Sequence, residues 1–205
     1  MGKKIAEGTI KKKNDKVKNL NITIRKNNIK DNKNFEDVET YTLEFDQIIE
    51  PSMRPRSSKV SNTTYDPLKN YKKIIKEKIE RILYEQDNHP NIGEDYYIEV
   101  TTVLEHVPPK HFTTKQKLAA FDHKLMYNKK PDIDNIAKTI YDSVEGIFFF
   151  NDSQIVKEDF EKYYGPKDKL TVTFHIKKQP DIHGRATKEE EELLKHKYNI
   201  RKDAK

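Results

Sequence analysis

The sequence predicts an α+β fold in which an antiparallel or mixed sheet carries helices packed on it. Strand-like and helix-like segments follow one another in the order strand, helix, strand, short helix, helix, strand, strand. The strand segments carry alternating or branched apolar residues, and the helix segments carry apolar residues at helical spacing. Hydrophobic residues make up 34% and charged residues 36% of the 205-residue chain, which favours a compact core with polar extensions.

The first half of the core is predicted to contain two strands, a loop and a helix. Residues 20–25 alternate apolar and polar side chains and predict an edge strand, and residues 40–49 predict a second strand rich in aromatic and branched side chains. Residues 50–67 contain three prolines and four serines and predict a loop. The Asp-Pro pair that ends this loop predicts the start of a helix that runs to about Glu85.

The second half is predicted to contain three strands and further helices. Residues 96–106 alternate and predict a long strand, and a threonine cap predicts a short helix that ends near Phe121. Strands over 153–165 and 169–178 are predicted to form an antiparallel hairpin through a Gly-Pro turn. Residues 187–202 predict a marginally apolar helix, either solvated or docked on a partner.

These elements divide the chain into a basic N-terminal extension over 1–38, one domain over 39–180 and a polar helical tail over 181–205. Residues 1–34 hold eleven lysines and arginines and three acids, in a chain whose net charge is +6. Such an arm either binds a polyanion or serves as a lysine-rich solubilising tail, and charge alone favours neither.

Composition excludes several classes of protein. The chain has no cysteine, which excludes disulfides, thiolate metal sites and a cysteine nucleophile. No apolar run approaches the roughly 20 residues that cross a bilayer, and the N-terminus lacks the apolar segment of a secretory signal. We therefore expect a cytoplasmic protein that does not engage a membrane.

The segment KPDIDNIAKTIYDSVEGIFFFNDSQIV, residues 130–156, concentrates acidic residues around one predicted helix. Asp132 and Asp134 are two residues apart just after a proline, and an extended backbone points such side chains the same way. Asp134 is also the predicted N-cap of a helix over 135–145, which Gly146 ends. Both carboxylates are therefore expected to face one point.

Further charged residues extend this group. Lys138 lies four residues after Asp134 and four before Asp142, so the three side chains stack along one side of the helix. The apolar run at 146–150 is expected to be buried and to return Asp152 to the helix start. Taken singly, each residue has an ordinary role as a turn, a cap or a surface ion pair. Together they predict a converging site of three acids and a lysine.

Converging carboxylates require a cation, because like charges a few ångströms apart repel each other. Asp132, Asp134 and Asp152 offer oxygen ligands, which favour Mg²⁺, or Mn²⁺ as a substitute, over zinc. Water on such an ion attacks phosphorus readily, and Lys138 is expected to neutralise charge on the reacting phosphate. An EF-hand calcium site is excluded, because the segment has isoleucine at the fifth ligand position and no glycine at the sixth.

The same segment resembles the signature of the RusA-type Holliday-junction resolvases, P-D-x-D-N-[hydrophobic]-x-K, then a helix ending in glycine, then D-D-x-Q-[hydrophobic]. The loop RPRSSKVSNTTYDP is similar to an early R-P-R segment of that family, and the resemblance covers about residues 40–178. It implies a dimeric, Mg²⁺-dependent endonuclease, often prophage-encoded, that cuts symmetrically related strands of four-way DNA junctions.

The resemblance also implies roles for residues at matching positions. By it, Asp132, Asp134 and Asp152 bind the metal and Lys138 supports catalysis. Less certain roles fall on other matching positions: Asn135, Asp142 and Gln154. The chain departs from the family pattern in one place, because Asn151-Asp152 stands where the family usually has two aspartates.

The sequence therefore predicts a homodimeric, Mg²⁺-dependent endodeoxyribonuclease that resolves Holliday junctions by paired phosphodiester hydrolysis in DNA recombination and repair. Its predicted phosphate contacts come from the basic arm and from Arg54, Arg56 and Lys59. Two alternatives stay open: a non-catalytic protein that binds branched DNA, and a metal nuclease that acts on flaps or forks. Such an enzyme is expected at the nucleoid of a bacterial or phage-infected cell.

Overall fold

The computed structural model describes residues 15, 17–29, 38–57, 64–179 and 187–198. The strands are β1 (Ile22–Ile29), β2 (Val38–Phe45), β3 (Arg56–Ser57), β4 (Thr64–Tyr65), β5 (Tyr96–His106), β6 (Ile155–Tyr164) and β7 (Lys169–Lys178). The helices are α1 (Lys69–Glu85), α2 (Thr114–Phe121), α3 (Ile133–Val144) and α4 (Lys188–Tyr198), and a 3₁₀ turn spans Asp152–Gln154.

Five strands form one mixed sheet in the order β1-β2-β7-β5-β6, and β3 pairs with β4 separately. The pairs β1–β2, β2–β7 and β7–β5 are antiparallel, whereas β5–β6 is parallel. Helix α1 packs against α3 and β1, and α2 packs against β6. The predicted α+β class with helices on a mixed sheet is confirmed.

The predicted hairpin of β6 and β7 is wrong, because β5 lies between them. Alternate residues of β7, from Leu170 to Ile176, are fully buried, whereas the charged residues at 157–159 of β6 are exposed. A strand with a fully apolar face suits the centre of a sheet, and a charged strand suits its edge. Residues 165–168 therefore cross the end of β5, where the Gly165 N–H donates to the His106 carbonyl at 3.0 Å.

Helix α1 begins later than predicted. Its N-cap residue is Leu68 rather than Asp66, although the Asp66 carboxylate still accepts a hydrogen bond from the Leu68 N–H at 2.8 Å. The predicted end at Glu85 is confirmed. The predicted cap of α2 is also confirmed, because Thr113 and Gln116 form a reciprocal capping box.

Strand β1 belongs to the same core as the rest of the sheet. Val17, Leu20 and Ile24 are buried, and Ile22 is in register with Phe45 of β2. The predicted boundary between residues 38 and 39 therefore falls inside the sheet, because the apolar side chains upstream of it complete the core. Most of the basic arm predicted over 1–34 lies outside the described residues.

The apolar run after α3 is buried except at its end. Phe148 stacks on Phe174 of β7 with ring centres 4.7 Å apart, and Ile147 and Phe149 are also buried. Phe150 is 52% exposed, so the predicted burial is wrong for this residue. Gly146 ends the helix region with a φ of 80°, as predicted. Over the described ranges, no helix has the length and apolar character needed to cross a membrane.

Candidate active site

The two aspartates of the D-x-D motif lie at the start of α3. Asp132 is the N-cap residue with an extended backbone, and Asp134 is in the first helical turn. The predictions that Asp134 caps the helix and that both residues share an extended segment are therefore wrong. Both side chains are exposed, and the Asp132 carboxylate makes no capping hydrogen bond. The positive end of the helix dipole favours negative charge at both positions.

Lys162 of β6 holds the segment that leads into Asp132. Its ammonium donates to the Pro131 carbonyl at 2.7 Å and to the Lys129 carbonyl, and it lies 4.7 Å from the centre of the Tyr127 ring. Burial lowers the pKa of Lys162, and the charge of Asp132 opposes this effect. Lys162 was missed in the sequence, because 31 residues separate it from Pro131 and no local pattern links the two.

Two open clefts meet at Asp132. One, of about 640 Å³, is lined by the α2–α3 connection and the end of β6. The other, of about 520 Å³, is lined by residues 48–52, by the end of β5 and by Asn135. Tyr127, Lys130 and Asp132 line both clefts. Asp132 is therefore accessible to a large ligand from two sides.

The loop after β2 is attached to the same end of α3. The Ser52 N–H donates to the Asn135 carbonyl at 2.7 Å, and the Glu50 N–H donates to the Tyr71 hydroxyl at 3.0 Å. Burial raises the pKa of Tyr71 to about 12, so this hydroxyl stays protonated. These two bonds hold the start of the loop between α1 and α3.

The predicted DNA-binding residues follow directly after this attachment. Arg54 and Arg56 are exposed, and Arg54 is only two residues beyond Ser52, which contacts α3. In the part of the chain that the structure describes, neither arginine forms an ion pair. Lys59 lies outside the described residues. The loop therefore carries exposed cationic side chains within a few residues of its attachment to α3.

Lys138 lies on the exposed face of α3, but it does not pair with Asp142. The Asp142 carboxylate accepts a hydrogen bond from Lys72 of α1 at 2.6 Å instead. Among the described residues, Lys138 forms no ion pair. The simple alternative of a Lys138–Asp142 surface pair is therefore wrong within this part of the chain.

Asp152 begins the 3₁₀ turn that precedes β6 and is exposed. Asn151 caps this turn by accepting the Ser153 N–H at 3.0 Å, and the Gln154 side chain completes the capping box by accepting the Asn151 N–H at 3.4 Å. The same Gln154 oxygen also accepts the Phe150 N–H at 2.7 Å. The Gln154 amide also donates to the Tyr96 carbonyl at 2.9 Å. The motif positions 151 and 154 are thus used to build the turn that presents Asp152.

The structure does not bring Asp152 to the other two aspartates. Ile155 pairs with Ile98 at the beginning of β5, whereas Lys162 pairs with Leu104 near its end. Seven residue steps of strand span roughly 23 Å at about 3.3 Å per residue. Asp152 therefore lies at one end of β6 and the D-x-D motif at the other.

The predicted convergence of three acids is accordingly not found within the protomer, because Asp152 precedes β6 whereas the segment before Asp132 is attached to Lys162 near the end of that strand. No group of three histidine, cysteine or acidic residues fit to hold a metal occurs within the described ranges. Asp132 and Asp134 are the two carboxylates at the start of α3. A Mg²⁺ ion is commonly held by one or two carboxylates together with substrate phosphates, so this pair fits such an ion.

A model of the family described as endodeoxyribonuclease RusA matches residues 49–175 of the chain. The chain belongs to the RusA endodeoxyribonuclease family. It is accordingly an endodeoxyribonuclease, a hydrolase of DNA phosphodiester bonds, of the RusA type that resolves Holliday junctions. Comparison with curated proteins found no match. Family membership therefore favours an enzyme over the alternative of a non-catalytic DNA-binding protein.

The RusA match includes a histidine and an aspartate that the sequence motifs did not single out. His106, at the end of β5, lies with its Nδ1 atom 2.7 Å from the Asp168 carboxylate, which also accepts the Val107 N–H at 3.0 Å. The His106 ring is 5.0 Å from the Tyr127 ring, and His106, Asp168 and Asp132 line the same cleft. The pair forms part of the lining of the cleft that Asp132 and Asn135 also line.

The contact between Asp168 and His106 requires glycine at position 165. A Cβ atom on Gly165 would lie 2.9 Å from the Cβ of Glu105, which is closer than carbon atoms pack. The crossing segment can therefore approach the end of β5 only without a side chain at this point. The approach sets Asp168 against His106, 62 residues away in the sequence.

Replacing Asp168 with alanine is expected to lower the free energy of unfolding by about 1–2 kcal/mol, because two donors lose their shared acceptor. Thermal unfolding followed by circular dichroism measures this loss. Asp159→Ala is the matched control, since its salt bridge with Lys157 joins two side chains that are more than half exposed. Equal melting temperatures for the two variants would show that the bonds of Asp168 to the end of β5 do not stabilise the fold.

Proposed function

We propose that the chain resolves four-way DNA junctions as a homodimer, by paired phosphodiester hydrolysis that depends on Mg²⁺, in DNA recombination and repair. Mn²⁺ is the expected substitute. The observation that carries this proposal is the pair of exposed aspartates, Asp132 and Asp134, at the start of α3 where two clefts meet. Membership of the RusA family supports the same substrate.

Asp132 and Asp134 are the residues that would hold the divalent ion. Neither carboxylate forms a salt bridge within the described ranges, although the charge of Asp132 acts on nearby Lys162, and the Asp132 carboxylate takes no part in capping. When bound, such an ion promotes attack of water on phosphorus and offsets charge on the phosphate. Lys162 keeps the Pro131 carbonyl fixed at 2.7 Å and thereby limits the movement of the first ligand.

Asp152 joins this site from a second copy of the chain. Within one protomer it lies at the opposite end of β6. In a two-fold dimer, however, a residue of one copy can contact a different residue of the other, and the reverse contact then forms as well. In such a dimer, Asp152 of the partner subunit completes the carboxylate set at Asp132 and Asp134, and the reverse contact forms the second site. Two equivalent sites suit a four-way junction, which presents two equivalent strands.

DNA is held by phosphate contacts around the site. Arg54 and Arg56 are exposed beside the start of α3, and Lys138 is exposed one turn further along the helix. Lys59 and the basic arm over 1–34 extend the same charge along the chain. Contacts of this kind make affinity fall steeply as salt rises. Lys138, the nearest of them to the aspartates in sequence, would support catalysis by offsetting phosphate charge.

A cleavage assay on a panel of DNA substrates tests the proposal. The full chain should cut a four-way junction into two nicked duplexes with Mg²⁺ or Mn²⁺ and should be inactive with EDTA, because the aspartates then lack their cation. A flap, a fork and a linear duplex of the same sequence are the matched substrates. Faster cutting of the flap or fork than of the junction would contradict junction resolution, and full activity in EDTA would contradict the metal site.

A further inference from the structure

Lys72 is a buried cation between two acids. Its side chain is 9% exposed, and its ammonium lies 2.6 Å from the carboxylates of both Asp66 and Asp142. Asp66 lies before α1 and Asp142 lies in the last turn of α3, so one lysine of α1 joins three segments. A buried charge is retained only where its partners compensate for lost hydration.

The two acids are less buried than the lysine. The side chains of Asp66 and Asp142 are 33% and 38% exposed, so both remain hydrated when Lys72 is removed. Asp142 then faces one cation of its own helix, because Lys138 is the only basic residue of α3 and lies four residues earlier. Opposite charges at this spacing form ion pairs on a helix surface.

We propose that Lys72 is a positioning residue for DNA cleavage, because by occupying Asp142 it keeps the Lys138 ammonium out of an intrahelical ion pair and available to a DNA phosphate. This inference rests on the proposed role of Lys138 in cleavage. Lys72 itself does not contact the substrate, since its ammonium is buried against α3. It acts by removing a competitor for Lys138.

The charges around Lys72 support this arrangement. Burial alone would lower the pKa of Lys72, but hydrogen bonds to Asp142 and Asp66 raise it above its ordinary value of 10.5. Burial would raise the pKa of Asp66, but its bond to Lys72 lowers it below 3.8. The stabilisation is lost only as pH rises through the raised pKa or falls through the lowered one. The pair is therefore charged throughout the neutral range in which cutting is measured.

A simpler role is that of a clamp between α1 and α3. A clamp and a positioning residue both predict that Lys72→Met lowers stability, so stability does not separate them. They differ when Asp142 is also removed. Loss of both groups still leaves the clamp broken, but it removes the carboxylate of α3 that would capture Lys138. Asp66, on which the charge of Lys138 also acts, is present in both variants, so their difference in rate is due to Asp142.

The test is a set of single-turnover cleavage rates on a four-way junction at saturating enzyme, well below the melting temperature of each variant. Lys72→Met should cut about tenfold more slowly than the native chain, which corresponds to about 1.4 kcal/mol of activation free energy. The double variant K72M/D142N should regain the rate of D142N alone. K72M/K138A should be no slower than K138A, because the captured group is already gone.

Lys73→Met is the matched control, since Lys73 lies on the same helix in a surface pair with Glu77 at 3.6 Å, and it should cut at the native rate. If K138A also cuts at the native rate, the proposed role of Lys138 fails. If K138A is slow while K72M is as fast as the native chain, or K72M/D142N stays as slow as K72M, the positioning role of Lys72 is overturned. Should K72M not fold, K72Q replaces it, because its polar amide tolerates the two neighbouring carboxylates but brings no charge to compete with Lys138 for Asp142.

Discussion

Replacing Asp134 with asparagine is expected to abolish metal-dependent cutting of a four-way junction while leaving junction binding intact. The substitution removes one negative oxygen ligand and keeps the shape of the side chain. Asp134 is exposed in the first turn of α3, so the fold loses only the dipole interaction of one carboxylate, about 0.3–1 kcal/mol. The cleavage rate is expected to fall by at least about a hundredfold, because the divalent ion then lacks a charged ligand.

Cleavage and binding are measured on the same labelled junction, the first with Mg²⁺ and the second with Ca²⁺ or EDTA. Asp122→Asn is the matched control, because Asp122 is an exposed aspartate with a surface partner, Lys124, at 3.0 Å. It should cut at the native rate. Cutting by D134N at a rate near that of the control would show that Asp134 is not a metal ligand.

Two inactive variants are expected to regain activity when they form a mixed dimer. In the proposed dimer, each site takes Asp132 and Asp134 from one subunit and Asp152 from the partner subunit. A dimer of one D134N chain and one D152N chain then has one site with both defects and one site with none. The intact site should nick one strand of the junction, and paired cutting should stay lost.

Co-expression with two different affinity tags isolates the mixed dimer, and about half of the dimers form in this way when the two chains are equally abundant. The matched control is a mixed dimer of D132N and D134N, in which both sites carry a defect. It should be inactive. If the D134N/D152N dimer is also inactive, Asp152 acts within its own subunit, and the shared site is excluded.

Local signals in the sequence predicted individual elements well. The alternation over 96–106 corresponds to β5, and the threonine cap, the Asp-Pro helix start and Gly146 each lie within a few residues of an observed boundary. These features depend on neighbours three or four residues apart, which a single sequence displays. The D-x-D motif was likewise found at the start of its helix, although Asp132 rather than Asp134 is the cap.

Contacts between distant segments were not predictable in this way. Adjacent strands joined by a short turn favour a hairpin, but burial of the apolar face of β7 between β2 and β5 outweighed that local preference. The same topology separates Asp152 from Asp132 and sets Asp168 against His106. Lys72 and Asp142 are 70 residues apart in the sequence, and no periodic pattern of charges predicts such an ion pair.

Strands β1 and β2 determine how shorter versions of this enzyme are expected to behave. The RusA match begins at residue 49, yet β7 receives one of its two neighbours from β2, which ends at Phe45. A chain trimmed to the matched region would leave the β7 backbone unpaired along that side and uncover apolar rings beneath Tyr41 and Phe45. Bare strand edges of this kind recruit strands from other molecules. Strands β1 and β2 thus protect the nuclease from aggregation.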